Sequence, residues 1–259
     1  MPGRPGTSSR ASSAAVLLPL AAVILVTGCG GGRGGGGGAA APATTRAATP
    51  PPAQTRAAAF PQAGVILRER VAVRSAPRRS AREVEVLHQF RADNRPTIVF
   101  AIGSTDDPSG RSWYRIELPG RTNRLKGWID AATVKLRTVR ARIVIDRGTR
   151  TLKLYDRARL RFRTRVAVGR PGMETPLGSF YVVAGFRPTE RALGVYAFET
   201  SAYSKLSEWP GGGIIGIHGT PQPELLGTAA SHGCVRVSNA AARTLERLVP
   251  IGAAISIVD

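Results

Sequence analysis

Cysteine is scarce in this chain of 259 residues, which contains Cys29 and Cys234 alone. Cys29 ends an apolar N-terminal stretch, whereas Cys234 lies in the polar segment Ser231-His232-Gly233-Cys234. Because the two thiols stand in such different settings, we expect each to have its own role and no pair to remain for a disulfide. The fold then depends on its hydrophobic core alone.

Lysine and acidic residues are also scarce. Lys and Arg together number 37, of which four are lysines, against 17 Asp and Glu, so the formal net charge is +20. A strong positive field favours an anionic partner, such as a phosphate-rich polymer, an anionic membrane leaflet or nucleic acid. An Arg-rich, Lys-poor composition is equally typical of a GC-rich genome, so the charge alone does not select one of these partners.

The N-terminus has the pattern of an export signal. Arg4 and Arg10 precede an apolar stretch over 14–26, and Thr27-Gly28-Cys29 follows. Small residues before a cysteine resemble the lipobox of bacterial lipoproteins, which implies cleavage before Cys29 and a diacylglycerol on its thiol. An ordinary secretory signal and an uncleaved membrane anchor are the alternatives, since the apolar run approaches the roughly 20 residues that span a bilayer. We do not expect an exported protein to bind nucleic acid.

After this signal, residues 30–63 predict a flexible linker. The segment is Gly-rich at first and Ala-, Pro- and Thr-rich later, with too little hydrophobicity to fold. Roughly 30 residues of coil reach about 30 Å on average. Such a linker could lift a domain off a membrane.

Residues 64–138 predict a small all-β barrel, because short runs of β-branched and aromatic residues alternate with polar turns. Three segments resemble signature positions of bacterial SH3-like domains, although Ala72 and Ala76 replace the commoner Asn and Gly. These segments are Val73-Arg74-Ser75-Ala76-Pro77, Trp113-Tyr114-Arg115-Ile116 and Gly127-Trp128-Ile129. The resemblance implies binding to cell wall or peptide, whereas Trp128 could equally belong to the barrel core.

Residues 139–259 predict a second β-rich domain. Alternating positions predict a hairpin of strands 142–146 and 151–155 around the turn Arg147-Gly148-Thr149. Further strands are expected at 163–168, 178–184, 194–198, 213–217 and 254–258. Ser238 is the predicted N-cap of a helix over 239–249, in which Leu245, Leu248 and Val249 share one face.

The chemistry concentrates near the end of the chain. The strand-like run 213–217 leads into His218-Gly219-Thr220, and Ser231-His232-Gly233-Cys234 follows, so two of three histidines and one of two cysteines meet here. A thiol becomes a nucleophile only as thiolate, and a nearby imidazole that takes its proton is the usual way to form one near neutral pH. The pattern predicts a cysteine acyl-transfer site.

A His-Gly followed by Ser-His-Gly-Cys resembles the L,D-transpeptidases with a YkuD catalytic domain, which remodel bacterial peptidoglycan. The resemblance extends through Thr175-Pro176-Leu177-Gly178-Ser179-Phe180 and Arg236-Val237-Ser238-Asn239 and covers residues 139–259. It implies a mainly β fold, in which the SH3-like barrel precedes a YkuD-type β-sandwich with a short C-terminal helix.

The same resemblance implies the roles of the site residues. Cys234 is the nucleophile, His218 is the general base, and the backbone carbonyl of Gly219 orients His218. The amides of Gly233 and Cys234 are the implied oxyanion donors, and the absence of a Cβ on Gly233 lets substrate approach closely.

Further residues are expected to shape the pocket. Ser231 and His232 would do so by hydrogen bonding, with His232 a second candidate proton carrier. Arg236 would hold a substrate carboxylate bidentately or make a structural ion pair. Tyr196 and Trp209 are either substrate contacts or core residues, in a segment 187–210 that matches no motif and is expected to select the acceptor.

The implied substrate is a peptidoglycan stem tetrapeptide, cut before its terminal D-alanine and joined to a neighbouring stem in a 3-3 crosslink. Water as acceptor would make the site an L,D-carboxypeptidase. The resemblance also implies acylation by carbapenems and no cofactor. A zinc site on His218, His232 and Cys234 is one rival interpretation, and a non-catalytic wall-binding lipoprotein is another. We expect the 64–138 module to set where the enzyme works and to leave its chemistry unchanged.

Overall fold

The computed structural model describes residues 59–123, 125–205 and 212–259. The predicted signal over 1–29, with Cys29, and most of the predicted linker lie outside these residues, as does Trp209. The strands are β1 (Gln62–Ile66), β2 (Arg70–Arg74), β3 (Glu83–His88), β4 (Ile98–Asp106), β5 (Ser112–Leu118), β6 (Leu125–Asp130), β7 (Val134–Thr138), β8 (Ala141–Asp146), β9 (Thr151–Asp156), β10 (Arg159–Arg165), β11 (Val168–Gly169), β12 (Gly178–Phe186), β13 (Ala197–Tyr203), β14 (Ile214–His218), β15 (Ala229–Ser231), β16 (Val235–Arg236) and β17 (Ala254–Val258), and helix α1 spans Asn239–Leu248. The predicted mainly β fold with a short C-terminal helix is confirmed.

The first seven strands form one antiparallel sheet, which we call the N-terminal sheet, in the order β3-β2-β6-β5-β4-β1-β7. Alternate residues of β2 and β6 are buried, as in a sheet with one covered face. Val73, Ile116 and Ile129 are fully buried in its core. Trp128 is half-buried beneath the Arg115 guanidinium, which lies 5.9 Å from its ring centroid. The SH3-like resemblance of this region stays a prediction.

The remaining long strands form an eight-stranded sheet, which we call the C-terminal sheet, in the order β10-β9-β8-β17-β12-β13-β14-β16. The predicted hairpin is present as the antiparallel pair β8–β9, and the final strand β17 runs parallel to β8. Strand β14 pairs with β13 on one side and, in parallel, with β16 on the other. The segment that connects the two motifs of the predicted site therefore begins at β14 and ends at β16, which are neighbours at one edge of this sheet.

Helix α1 begins where the sequence predicts. The Ser238 hydroxyl accepts a hydrogen bond from the Ala241 amide at 3.1 Å, which satisfies one of the free amides of the first turn. Leu245 and Val249 are buried, whereas Leu248, which was predicted to share their face, is 38% exposed. The helix ends at Leu248, and the turn residues that follow leave this side chain at the rim of the core.

The strand predicted at 194–198 begins later than expected, at Ala197. Residues Arg191–Leu193 form a short 3-10 turn, and Gly194 follows it with a φ of 69°. A Cβ on Gly194 would lie 2.4 Å from the carbonyl carbon of Gly219. This left-handed, tightly packed position favours glycine, and it delays the start of β13.

The described residues form one compact unit, in which the two sheets share part of their core. Ala63 and Phe100 of the N-terminal sheet pack with Tyr181 and Val183 of β12. The rings of Phe100 and Tyr181 are stacked, with centroids 4.8 Å apart and planes within 4°. The predicted domains 64–138 and 139–259 are thus in hydrophobic contact.

Within the described ranges, no helix is long and apolar enough to cross a membrane.

Candidate active site

The register of β13 and β14 places His218 on an open face of the C-terminal sheet. Ile215 and Ile217 point into the core, so Gly216 and His218, at alternate positions, face the other way. Directly opposite residues on antiparallel strands share a face. Glu199 lies opposite Gly216, and Ala197 lies opposite His218, so all four line the same wall.

This wall borders a cleft of about 450 Å³ that contains both predicted reactive groups. The lining includes Phe186, Glu190, Leu193, Glu199, Gly216, His218 and Cys234. The structure therefore brings together the two motifs that the sequence separates by a loop. The cleft combines an apolar surface with a few polar groups, as small-molecule and peptide sites do.

His218 is held in one orientation. Its imidazole is 5% exposed, and Nδ1 lies 2.6 Å from the carbonyl oxygen of Gly219. Since a carbonyl only accepts, we assign the proton to Nδ1, which leaves Nε2 able to take one. Burial lowers the pKa of His218 to about 4, although the carbonyls of Gly219 and Leu193 oppose the shift. The imidazole is neutral near pH 7 and can act as a base.

Cys234 follows the loop and directs its sulfur at the same wall. The Gly216 amide donates to Sγ at 3.3 Å. Burial raises the pKa of the Cys234 thiol, against the opposing effects of the Gly216 amide and the positive charge of Arg236. Because burial lowers the pKa of His218 and raises that of Cys234, the resting pair is a neutral imidazole and a neutral thiol.

Gly216 keeps the space between these two groups open. A Cβ on Gly216 would lie 3.8 Å from His218 Cδ2 and 3.9 Å from Cys234 Sγ. The imidazole and the thiol thus border the same point in the cleft. No role beyond its strand was predicted for Gly216, although its place two residues before His218 indicates that it lies on the same face of β14.

The Ser231–Cys234 loop is shaped by the Ser231 hydroxyl, which is fully buried. It donates to the Cys234 carbonyl at 2.6 Å and accepts from the Gly233 amide at 3.1 Å. Gly233 has a φ of 120°, a region that favours glycine. Its amide is engaged by Ser231, so the prediction that it binds the oxyanion does not match this geometry. The Cys234 amide is the candidate that remains.

Thr175 stabilises the Ser231–Cys234 loop through hydrogen bonds. Its buried hydroxyl donates to the Gly233 carbonyl at 2.7 Å and accepts from the Gly169 amide at 2.9 Å. In the sequence, Thr175 stands out only as part of the segment Thr175-Pro176-Leu177-Gly178-Ser179-Phe180. Its side chain links that upstream motif to the nucleophile loop, a contact between residues 58 positions apart that no local pattern reveals.

Gly219 is required by close packing as well as by its carbonyl. A Cβ on Gly219 would lie 2.3 Å from Oδ1 of Asn239, the first residue of α1. That Oδ1 also accepts a hydrogen bond from the Val195 amide at 3.2 Å. The start of α1 therefore fixes the backbone that orients His218.

His232 and Arg236 lie beside Cys234, on the side of the Ser231–Cys234 loop. His232 is half-buried, and burial and the charges of Arg170 and Arg236 lower its pKa. Arg236 Nη1 donates to Gln222 Oε1 at 3.4 Å. Among the residues that the structure describes, no carboxylate pairs with Arg236. The alternative, a structural ion pair of Arg236, therefore has no carboxylate partner among these residues.

Tyr196 lies on the core side of β13 and is absent from the cleft lining. Its ring contacts Phe198 edge-to-face with centroids 5.0 Å apart, and its hydroxyl is close to Gly185. The structure thus favours the core interpretation of Tyr196 over substrate contact. Trp209 lies outside the described residues, and the lid predicted over 203–209 is described only through residue 205.

In the described part of the chain, no group of three or more His, Cys, Asp or Glu side chains is arranged to hold a metal ion. The three residues of the rival zinc interpretation also differ in setting. His218 is buried and bonded to Gly219, whereas His232 is half-buried beside two arginines.

Comparison with known proteins finds a family model, curated relatives and solved structures that match this chain in part. The family model for the YkuD L,D-transpeptidase catalytic domain matches residues 140–257. The YkuD proteins of Bacillus licheniformis and Bacillus subtilis are 34% and 31% identical over 120 residues, which is 46% of this chain and 67% of each relative. L,D-transpeptidase 3 from Mycobacterium tuberculosis is 15% identical with a TM-score of 0.42, over 63% of this chain and 92% of that one.

Proposed function

Because the chain belongs to the L,D-transpeptidase family through its YkuD catalytic domain, we propose that it forms 3-3 crosslinks in peptidoglycan through a thioester on Cys234. The observation that carries the proposal is the convergence of His218 and Cys234 on the space above Gly216. Membership in this family makes the chain an enzyme of the cell wall, and a cell-wall enzyme is exported.

The first half of the reaction acylates the cysteine. Nε2 of His218 takes the Cys234 proton as the sulfur attacks the carbonyl carbon of the third residue of a stem tetrapeptide. The bond from that carbon to the nitrogen of the terminal D-alanine breaks, and D-alanine leaves with the proton from the imidazolium. In this proposal the Cys234 amide stabilises the transient oxyanion.

The second half transfers the acyl group. An amine on the third residue of a neighbouring stem attacks the thioester carbon and loses a proton to His218. The carbon–sulfur bond breaks, the thiol is restored, and a 3-3 crosslink joins the two stems. With water as acceptor, the same steps release a tripeptide, which is the carboxypeptidase alternative.

Incubation with defined tetrapeptide muropeptides, followed by mass analysis of the products, tests this proposal. We expect wild-type protein to form a dimer that lacks one D-alanine and the Cys234→Ala variant to form none. Tripeptide monomer without dimer would identify a carboxypeptidase. Unchanged substrate would support a non-catalytic wall-binding protein and contradict the proposal.

We extend the proposal to the anchor. Lipidation of Cys29 is supported by the sequence Thr27-Gly28-Cys29 after an apolar run, and two acyl chains suffice for stable anchoring. We expect Cys29→Ser to leave unprocessed precursor in the membrane fraction. Wild-type protein found free outside the cell, with an N-terminus beyond Cys29, would contradict lipidation.

We further propose anionic wall polymers as partners of the basic surface. Edge strand β10 presents the exposed side chains of Arg159, Arg161 and Arg163, none of which has an ion-pair partner among the described residues. Binding to isolated cell walls should then weaken as salt screens these charges. Salt-independent binding would instead indicate recognition by shape or hydrogen bonds.

A further inference from the structure

The strand that backs the catalytic wall is irregular beside the active site. Residues Ala197–Glu199 of β13 pair in register with β14, but the next pair is Tyr203 with Ile214, after a shift of register. Between these pairs the Thr200 hydroxyl donates to the Ile215 carbonyl at 2.6 Å. The regular backbone ladder therefore stops at the pair formed by Glu199 and Gly216, whose amide holds the Cys234 sulfur.

One end of this irregular stretch is held by the N-terminal sheet through an ion pair. Arg91, in the loop after β3, donates from Nη2 to both carboxylate oxygens of Glu199, at 2.6 and 2.8 Å. The side chains of Arg91 and Glu199 are 24% and 14% exposed. Their burial makes the contact less subject to solvent screening than an exposed surface pair.

The other end is held by an amide. Asn123, in the loop after β5, accepts from the Tyr203 amide through Oδ1 and donates to the Tyr203 carbonyl through Nδ2, each at 2.8 Å. The side chain thus satisfies both backbone groups of Tyr203, as a neighbouring strand would. Nearby, Arg121 donates to the Gly212 carbonyl at 3.0 Å, two residues before β14 begins.

We propose that Arg91 and Asn123 are positioning residues of the active site, which hold both ends of the irregular stretch of β13 and so fix Gly216 and His218 relative to Cys234. The inference rests on the proposed roles of Cys234 and His218. It departs from the expectation that the N-terminal module leaves the chemistry unchanged. The reacting groups need placement to a fraction of an ångström, and part of that placement comes from the other sheet.

The test compares variants of the full chain with a matched control. Arg91→Gln and Asn123→Ala each remove one contact with β13. Arg111→Gln breaks an ion pair of similar exposure, Arg111 with Asp130, that lies wholly within the N-terminal sheet. For each protein, two rates are measured per folded molecule, namely alkylation of Cys234 by iodoacetamide and acylation by stem tetrapeptide. Thermal unfolding is followed in parallel.

We expect Arg91→Gln and Asn123→Ala to slow acylation about 10- to 100-fold, which is the size of effect that a small misplacement of the reacting groups produces. The variant that slows acylation more should also slow alkylation of Cys234 more. Arg111→Gln should match wild type. Arg91→Lys, which keeps the charge but not the paired donors, should recover part of the rate. The proposal is overturned if Arg91→Gln and Asn123→Ala both react at the wild-type rates. It is also overturned if Arg91→Lys reacts as slowly as Arg91→Gln. If Cys234 of the wild-type protein is alkylated normally but is not acylated by the tetrapeptide, the result contradicts the proposed function instead.

Discussion

His218 and His232, the histidines of the two motifs, differ in their surroundings, and these surroundings decide whether an imidazole can act as a base. His218 is buried and bonded to the Gly219 carbonyl at 2.6 Å, and its pKa is lowered to about 4. His232 is half-buried on the neighbouring loop, beside the charges of Arg170 and Arg236. Because the Gly219 carbonyl accepts from Nδ1 of His218, Nε2 is the nitrogen that can take a proton. The backbone carbonyl of Gly219 therefore orients the imidazole of His218, which is the contact that our proposal requires of the base.

The largest effect expected from this comparison is the loss of His218. His218→Ala removes the general base, and we expect acylation to fall about 10²- to 10⁴-fold. His232→Ala should cost less, because His232 is not among the residues that line the cleft. Stopped-flow acylation of both variants checks the order. A larger loss in His232→Ala would exchange the roles of the two histidines.

A pH profile sharpens the same comparison. His218 must be neutral to accept a proton, and its pKa is lowered to about 4. The rate of acylation per folded molecule should therefore persist through mildly acidic pH and fall as pH drops through about 4. His232→Ala should leave this limb in place. An acid limb near the ordinary histidine value of about 6.5 would mean that the base is exposed to water.

A smaller effect concerns the loop that carries His232 and Cys234. Thr175→Val removes the hydroxyl that bonds both the Gly233 carbonyl and the Gly169 amide. Two buried backbone groups then lose their partner, so the free energy of unfolding should fall by about 1–3 kcal/mol. Denaturant unfolding measures this change. Thr164→Val, which loses a long 3.3 Å contact with the neighbouring Arg165 carbonyl, is the control and should be near neutral.

Much of this region could be predicted from sequence because its signals are local. Alternation predicted β8 and β9, the strand-like run 213–217 predicted β14, and Ser238 predicted the start of α1. The two motifs predicted that His218 and Cys234 share one site, and both line the same cleft. Periodicity placed Leu248 on one face with Leu245 but could not show that this side chain is partly exposed at the end of the helix. The delayed start of β13 followed from the approach of Gly194 to Gly219, which is a tertiary contact.

The remaining features depend on contacts that are distant in sequence. The engagement of the Gly233 amide by Ser231 is decided by loop geometry, which a motif does not encode. The contact between Arg91 and Glu199 joins residues 108 positions apart and crosses the two sheets. Neither residue belongs to a motif, so composition and spacing gave no reason to link them.

We propose Cys234 as the nucleophile and His218 as its base, and the intact mass of the protein after acylation reports on both roles. Wild type incubated with a carbapenem should gain the mass of one drug molecule. Cys234→Ala should gain none, and His218→Ala should gain the same mass much more slowly. An adduct on Cys234→Ala, or His218→Ala reacting as fast as wild type, would contradict the account.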